Sequence, residues 1–174
     1  MLPKSYAHGA NSTNLLGQTL GVNFDAAAEK WGDRQALVVS HQNLRWTYKD
    51  LKMRVDAFAA GLISLGLEPG DRIGIWSQNN SEWVVTQYAT AKTGLILVNI
   101  NPAYRALELE YAINKVGCKA LILSEKFKSS NYIEMLRQLA PSLRKSRPGK
   151  LAADRLKSLS HVIQIGGKTA SGCF

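Results

Sequence analysis

Four short apolar segments, Arg72–Trp76, residues 95–100, residues 119–123 and His161–Ile165, alternate with stretches whose apolar residues recur every three or four positions. That alternation leaves few architectures open. A strand, a helix and another strand at this spacing form βαβ units, and their right-handed crossovers build a largely parallel sheet with flanking helices. The predicted fold class is therefore α/β. Ligands of such sheets bind beyond the carboxyl ends of the strands, which makes residues 77–81, 101–106, 124–126 and 166–174 the candidate loops.

The most regular helix is expected over residues 49–65, where Leu51, Val55, Phe58, Ala59, Leu62 and Leu65 make one buried stripe. Gly66 stands where a left-handed terminating residue is needed, and Pro69-Gly70 completes the turn. An earlier helix, capped by Thr13 or Asn14, carries Leu15, Leu16, Leu20, Phe24, Ala27, Ala28 and Trp31, with Gly17 and Gly21 weakening its start. Residues 36–39 and 44–48 read as a hairpin around a polar break. Asn80 or Ser81 caps a helix that ends at Gly94. Residues 95–100 are almost continuously apolar, as in a strand covered on both faces. A helix over residues 107–116 places Leu107, Tyr111 and Val116 on one side. Another spans residues 126–139 and is stopped by Pro141, with a loop or weak helix over 142–158.

Composition sets the outer limits. With 174 residues, 45% hydrophobic and 20% charged, the chain suits one ordinary core. Two cysteines, Cys118 and Cys173, and no CxxC pair exclude a multi-bridge scaffold or a zinc ribbon. The longest apolar run, Leu95-Ile96-Leu97-Val98, is far short of a transmembrane segment. The amino end shows neither a secretory signal nor an Arg-rich transit peptide. The net charge of +9 is concentrated between residues 137 and 168, where Arg137, Arg144, Lys145, Arg147, Lys150, Arg155, Lys157 and Lys168 face a single acid, Asp154. With one aromatic neighbour, Tyr132, and no stacking platform, this region reads as a solvated basic face. A polyanion-binding module is the alternative, and no specific nucleic acid is implied.

Reactive constellations are sparse. His8, His41 and His161 fall in different elements with no carboxylate at a telling spacing, and Cys118 precedes a buried strand as a small hydrophobe would. Gly167-Lys168-Thr169 imitates the end of a phosphate-binding loop, but Val162 stands where its first glycine belongs and too little chain follows for the helix.

An ordered set of strings is more informative: Trp46-Thr47-Tyr48-Lys49-Asp50-Leu51, then Gly66-Leu67-Glu68-Pro69-Gly70-Asp71-Arg72, Ser77-Gln78-Asn79-Asn80-Ser81-Glu82-Trp83, Ala91-Lys92-Thr93-Gly94 and Val98-Asn99-Ile100-Asn101-Pro102. Together they resemble the amino-terminal part of the adenylate-forming (AMP-binding) superfamily. Ser5-Tyr6-Ala7-His8-Gly9, Asn101-Pro102-Ala103-Tyr104 and Lys115-Val116-Gly117-Cys118-Lys119 resemble its medium-chain acyl-CoA synthetases. The resemblance implies a partial sheet from the N-terminal subdomain of the large domain over residues 15–165, an extension over 1–14 and an atypical tail over 166–174. It also implies a mitochondrial setting, a cytoplasmic one being the alternative in the absence of a visible transit peptide. The parent reaction joins a medium-chain fatty acid to CoA through an acyl-adenylate, with ATP and Mg²⁺ as cofactors. Family members do this with a phosphate loop ending in Pro-Lys-Gly, an adenine- and Mg²⁺-binding segment and a lid lysine, all downstream of the matched strings. Lys168-Thr169-Ala170-Ser171-Gly172 lacks the Thr-Thr-Gly and Pro-Lys-Gly parts. The resemblance thus implies no catalytic or metal-binding residue and no tightly bound cofactor in this chain. It offers only the loop carrying Asn101, Tyr104 and Arg105 as a candidate CoA-channel contact. A non-catalytic regulatory fragment, self-associating or bound by chaperones through exposed core, is the other reading.

Overall fold

The computed structural model describes Gly9, Ser12 and residues 15–174. Thr13 and Asn14, expected as caps, and His8 lie outside the described residues. The first helix, α1 (Leu20–Trp31), instead takes its cap from Thr19, whose hydroxyl accepts the Val22 N–H. Leu15 and Leu16 precede it in an exposed segment, and only Gly21, Phe24 and Ala28 are buried. The expected hairpin forms: β1 (Gln35–Val39) pairs antiparallel with β2 (Leu44–Thr47), with Asn43 supplying a left-handed turn residue at φ 49°.

Helix α2 (Tyr48–Ser64) starts on a reciprocal cap. Thr47 Oγ1 accepts the Asp50 N–H at 3.1 Å, and an Asp50 carboxylate oxygen accepts the Thr47 N–H at 3.0 Å. Leu51, Val55, Ala59 and Leu62 are its buried stripe, and Gly66 ends it at φ +77°. The first strand of the parallel sheet, β3 (Arg72–Trp76), leads to α3 (Ser81–Thr93). Asn80 is the cap, its side-chain oxygen accepting the Trp83 N–H at 2.9 Å. The remaining units are β4 (Ile96–Ile100), α4 (Ala106–Val116), β5 (Cys118–Ser124), a small hairpin of β6 (Lys126–Phe127) and β7 (Ser130–Asn131), α5 (Tyr132–Leu139) and β8 (His161–Ile165).

Strands β4, β3, β5 and β8 lie side by side in that order, all parallel. Gly74 permits the tight middle of this sheet, since a Cβ there would stand 2.8 Å from Ile100 Cδ1 and 3.1 Å from Leu121 Cδ1. One face is covered by α1, α2, α3 and the β1–β2 hairpin, around Phe24, Leu51, Val55, Ile73, Ile75 and Ile122. The opposite face is covered by α4, α5 and the chain that follows them, around Trp76, Leu121, Leu123, Tyr132 and Leu136. Lys52 and Lys92 each bridge Asp25 and Asp56, joining α1, α2 and α3 in a closed square of ion pairs. Burial pulls both carboxyls upward, but the lysine hydrogen bonds and charges outweigh it and hold them below the usual carboxylate range.

Three expectations need correction. Residues 126–131 are a hairpin and not the start of a helix: Lys128 adopts φ +52°, and Asn131 caps α5 by accepting the Glu134 N–H. Ser129, Ser130 and Asn131 favour caps and turns over helix interiors, so the local chemistry wins. Helix α4 buries Leu109 and Ile113, leaving Leu107 73% and Tyr111 67% exposed with Val116 at its end. The buried i, i+4 pair lies on the face toward the sheet, and the wrong stripe was the longer one in sequence. Strand β4 is an edge strand with Ile96 and Asn99 exposed and only Ile100 buried, so its apolar run does not mark a two-sided cover. As expected, α5 ends at Leu139 before Pro141, which opens a 3₁₀ turn over Pro141–Arg144.

The basic stretch contains buried anchors that charge alone concealed. Leu143, Leu151, Leu156 and Leu159 join the α4–α5 core, while Arg144, Lys145, Arg147, Lys150 and Lys157 stay exposed. Residues 166–174 return to β8, where the Phe174 N–H donates to the Val162 carbonyl and the Gln164 N–H to the Phe174 carbonyl.

Candidate functional site

At the carboxyl ends of β3 and β5 the chain buries a set of small polar groups. Ser77 and Ser124 bring their hydroxyl oxygens to 2.5 Å, and the Asn80 side-chain amide donates to Ser77 Oγ at 2.8 Å. The Ser77 hydroxyl also donates to the Gln78 carbonyl at 3.0 Å. Nearby, Gln42 reaches from the β1–β2 turn to the start of α3, accepting the Ser81 N–H at 2.7 Å and donating to a Glu82 carboxylate oxygen at 2.9 Å. These groups satisfy one another, as buried polar groups must. Ser77 and Ser124 spend their hydroxyls on each other, on Asn80 and on the Gln78 carbonyl, and Ser81 donates its hydroxyl to the Glu82 carboxylate at 3.1 Å, so the network fixes the strand exits in place.

Next to it lies a groove of about 490 Å³ over the α2–α3 face of β5 and β8. Ile122, Ile163 and Ile165 form its floor, Trp46, Phe58 and Val85 its walls, and Arg54, Gln42 and Glu82 line it with polar atoms. Its size falls within the range of about 300–1,000 Å³ typical of ligand sites. Arg54 holds its guanidinium 4.3 Å from the centre of the Trp46 ring and makes no ion pair among the described residues.

The loop carrying Asn101, Tyr104 and Arg105 is elsewhere, and none of the three lines the groove. Asn101 spends its side chain on the turn, accepting the Ala103 N–H at 2.9 Å, while its carbonyl accepts the Tyr104 N–H at 3.0 Å. Arg105 donates to Ser130 Oγ at 2.8 Å and so ties the loop to the β6–β7 hairpin. Beneath it, Tyr132 stacks on Trp76 with ring centres 3.7 Å apart and donates its hydroxyl to the Pro102 carbonyl at 2.5 Å. Burial pushes the Tyr132 phenol up to about 12. The ring of Tyr104 and the outer side of Arg105 remain exposed at this loop.

Other residues singled out by chemistry have structural duties. Cys118 is fully buried against Gly74, and burial pushes its thiol up to about 11, far from the range of a reactive thiolate. His161 is buried with Nε2 3.1 Å from the Leu65 carbonyl and Nδ1 2.8 Å from Ser160 Oγ; burial lowers its pKa. His41 is exposed in the β1–β2 turn. Gly167-Lys168-Thr169 bends away without a following helix. Gln164 ties that loop down by donating to the Gly166 and Lys168 carbonyls and accepting the Ala170 N–H. No group of three or more His, Cys, Asp or Glu side chains suited to a metal occurs among the described residues. The basic surface is partly neutralised within the fold: Arg137 and Arg144 pair with Glu134, and Arg155 pairs with Glu110. No helix among the described residues is long and apolar enough to cross a membrane.

Sequence reading missed the groove, because its lining comes from five separated segments. Phe58 on the α2 stripe and Trp46 in the hairpin were visible individually; their convergence on β8 depends on how the hairpin packs across the sheet.

Comparison with known proteins agrees with this architecture. The chain is 47% identical over 161 residues to the mitochondrial medium-chain acyl-CoA ligase ACSF2 of Bos taurus, covering 92% of this chain and 26% of that protein. The ACSF2 of Danio rerio is 43% identical over 173 residues, covering 99% of this chain and 28% of that protein. The chain thus spans about a quarter of the length of the curated relatives it matches. The crystal structure of a long-chain fatty-acid CoA ligase homologue from Rhodopseudomonas palustris superposes with a TM-score of 0.72 at 24% identity, covering 90% of this chain and 35% of that one, and it shares the fold. Residues 24–168 match the family model described as AMP-binding enzyme, and the chain belongs to that family.

Proposed function

We propose that this chain is the scaffold quarter of a medium-chain acyl-CoA ligase, which converts a fatty acid, ATP and CoA to acyl-CoA, AMP and pyrophosphate when the rest of the ligase is present. The observation that carries the reading is the 43–47% identity to medium-chain acyl-CoA ligases across more than nine-tenths of the chain. ATP, Mg²⁺ and CoA are the cofactors of that reaction, and a mitochondrial location follows the naming of the same relatives.

By itself, the chain adenylates nothing. Its buried hydroxyls at the strand exits are mutually satisfied, its cysteines are held as neutral thiols by burial, and its glycine-lysine-threonine loop is pinned by Gln164. Its contribution is positional: the sheet and the strand-exit loops supply a wall of the site, and the exposed Tyr104 and Arg105 are the contacts this reading assigns to CoA. A chimera tests the reading. In it, this chain replaces the matching first quarter of the Danio rerio ligase, and octanoate-dependent ATP–pyrophosphate exchange is measured. Retention of exchange supports the scaffold role; a soluble, folded chimera without exchange contradicts it. Changing Arg105 to Ala in the active chimera is expected to raise the KM for CoA more than that for octanoate.

A further inference from the structure

We propose that the outer face of α4 is a self-association surface, on which a second copy of this chain docks its own α4 antiparallel about a two-fold axis beside Tyr111. This face lies on the other side of the sheet from the groove, and its role does not depend on the functional reading above.

Helix α4 buries Leu109 and Ile113 toward the sheet and leaves Leu107 and Tyr111 largely exposed. Four residues apart, these two stand one above the other on the outer face, and Lys115 continues the row one turn later. Val116 adds a partly exposed apolar side chain at the end of the helix. Glu108 and Lys115 are seven residues apart, which is two turns, so they share one edge of this face. Both are exposed, and neither makes an ion pair among the described residues. The other edge is already engaged within the fold: Arg155 pairs with Glu110, and the Asn114 amide donates to the Arg155 carbonyl at 2.8 Å.

The order of these residues selects the occupant. A parallel mate would set Glu108 against Glu108 and Lys115 against Lys115. An antiparallel copy sets Glu108 of each chain against Lys115 of the other, because the axis beside Tyr111 lies midway between them. Tyr111 then meets its own equivalent, and Leu107 lies over Val116 and the aliphatic stem of Lys115 of the second copy. A two-fold contact uses one patch twice, and this patch carries both halves of its own charge pair. The apolar centre supplies the attraction, while the rim charges fix register and direction. One helix face from each chain makes a small interface, so the association is weak and depends on concentration.

The test is sedimentation equilibrium of the purified full chain between about 10 μM and 1 mM, the range suited to so small an interface. The weight-average mass is expected to rise from 19.1 kDa toward twice that value. Tyr111→Glu brings two like charges together on the axis and weakens association at least about tenfold. Glu108→Lys and Lys115→Glu each weaken it by about threefold. An equimolar mixture of these two charge variants associates as the parent does, since both pairs return with their signs exchanged. Glu108 also accepts the Arg105 N–H at 3.0 Å. Tyr111→Glu and Lys115→Glu alter exposed side chains that make no such bond, and they keep the test decisive if Glu108→Lys fails to fold. A monomer across the whole range overturns the proposal. So does a dimer that neither Tyr111→Glu nor Lys115→Glu weakens, or a mixture of folded charge variants that stays monomeric.

Discussion

The two faces of the sheet are built from the same strands and finished differently. On the α4–α5 side, Leu121, Leu123 and Val162 are sealed by helices, by a 3₁₀ turn and by four leucines of an otherwise basic segment. On the α1–α3 side, the cover buries Ile73, Ile75 and Ile122, while Ile163 and Ile165 pack against it and stay half-buried. Adjacent residues of β8 thus meet a packed core in one direction and a groove in the other. Strand composition reports that a segment is apolar; what covers each side is decided by distant chain.

The difference is sharpest in stability. Leu121→Ala, on the sealed face, is expected to cost about 3 kcal/mol in urea unfolding, within the span for deleting a buried leucine side chain where little can relax. A cost below about 1 kcal/mol would show that the sealed face is loosely packed.

Next in size is the charge square of the α1–α3 face. Lys92→Met leaves Asp25 and Asp56 sharing one lysine and is expected to cost about 1 kcal/mol, since the pairs are partly exposed and screened. Both aspartates have folded-state pKa values below the unfolded ones. Their contribution is therefore present above about pH 4 and lost as pH falls through the folded values. Thermal melts between pH 2 and 5 should show a shallower acid slope for Lys92→Met than for the parent.

Ile163→Ala, on the open face, is expected to cost less than about 1 kcal/mol in the isolated chain, because the residue is already half-exposed. A cost matching that of Leu121→Ala would contradict the comparison. The smallest effect belongs to Arg54→Ala, about 0.5 kcal/mol for an exposed cation–aromatic contact, measured by the same denaturation.

Much of the architecture was legible in the sequence. The stripe of α2, the Gly66 terminator, the Asn80 cap and the four parallel strands follow from periodicity and capping chemistry close to each residue. Three kinds of feature were not. The face of α4 was misread because Leu107, Tyr111 and Val116 outnumber the buried pair Leu109 and Ile113, and only tertiary packing chooses between stripes. The β6–β7 hairpin was hidden by the apolar spacing of α5 extending backward through a segment whose Lys128 takes a positive φ. The groove had no local signature, since its lining residues are distributed from Gln42 to Gly166. The candidate loop was placed correctly at the exit of β4, but the roles of Asn101 as a turn-former and of Arg105 as a tie to Ser130 depend on partners up to 25 positions away.

The central claim is that this chain supplies structure to an acyl-CoA ligase and no adenylating chemistry of its own. Pyrophosphate release by the purified chain, incubated with ATP, Mg²⁺ and octanoate, tests it directly. The account predicts release at the background of a no-protein control; octanoate-dependent release above that background would contradict it.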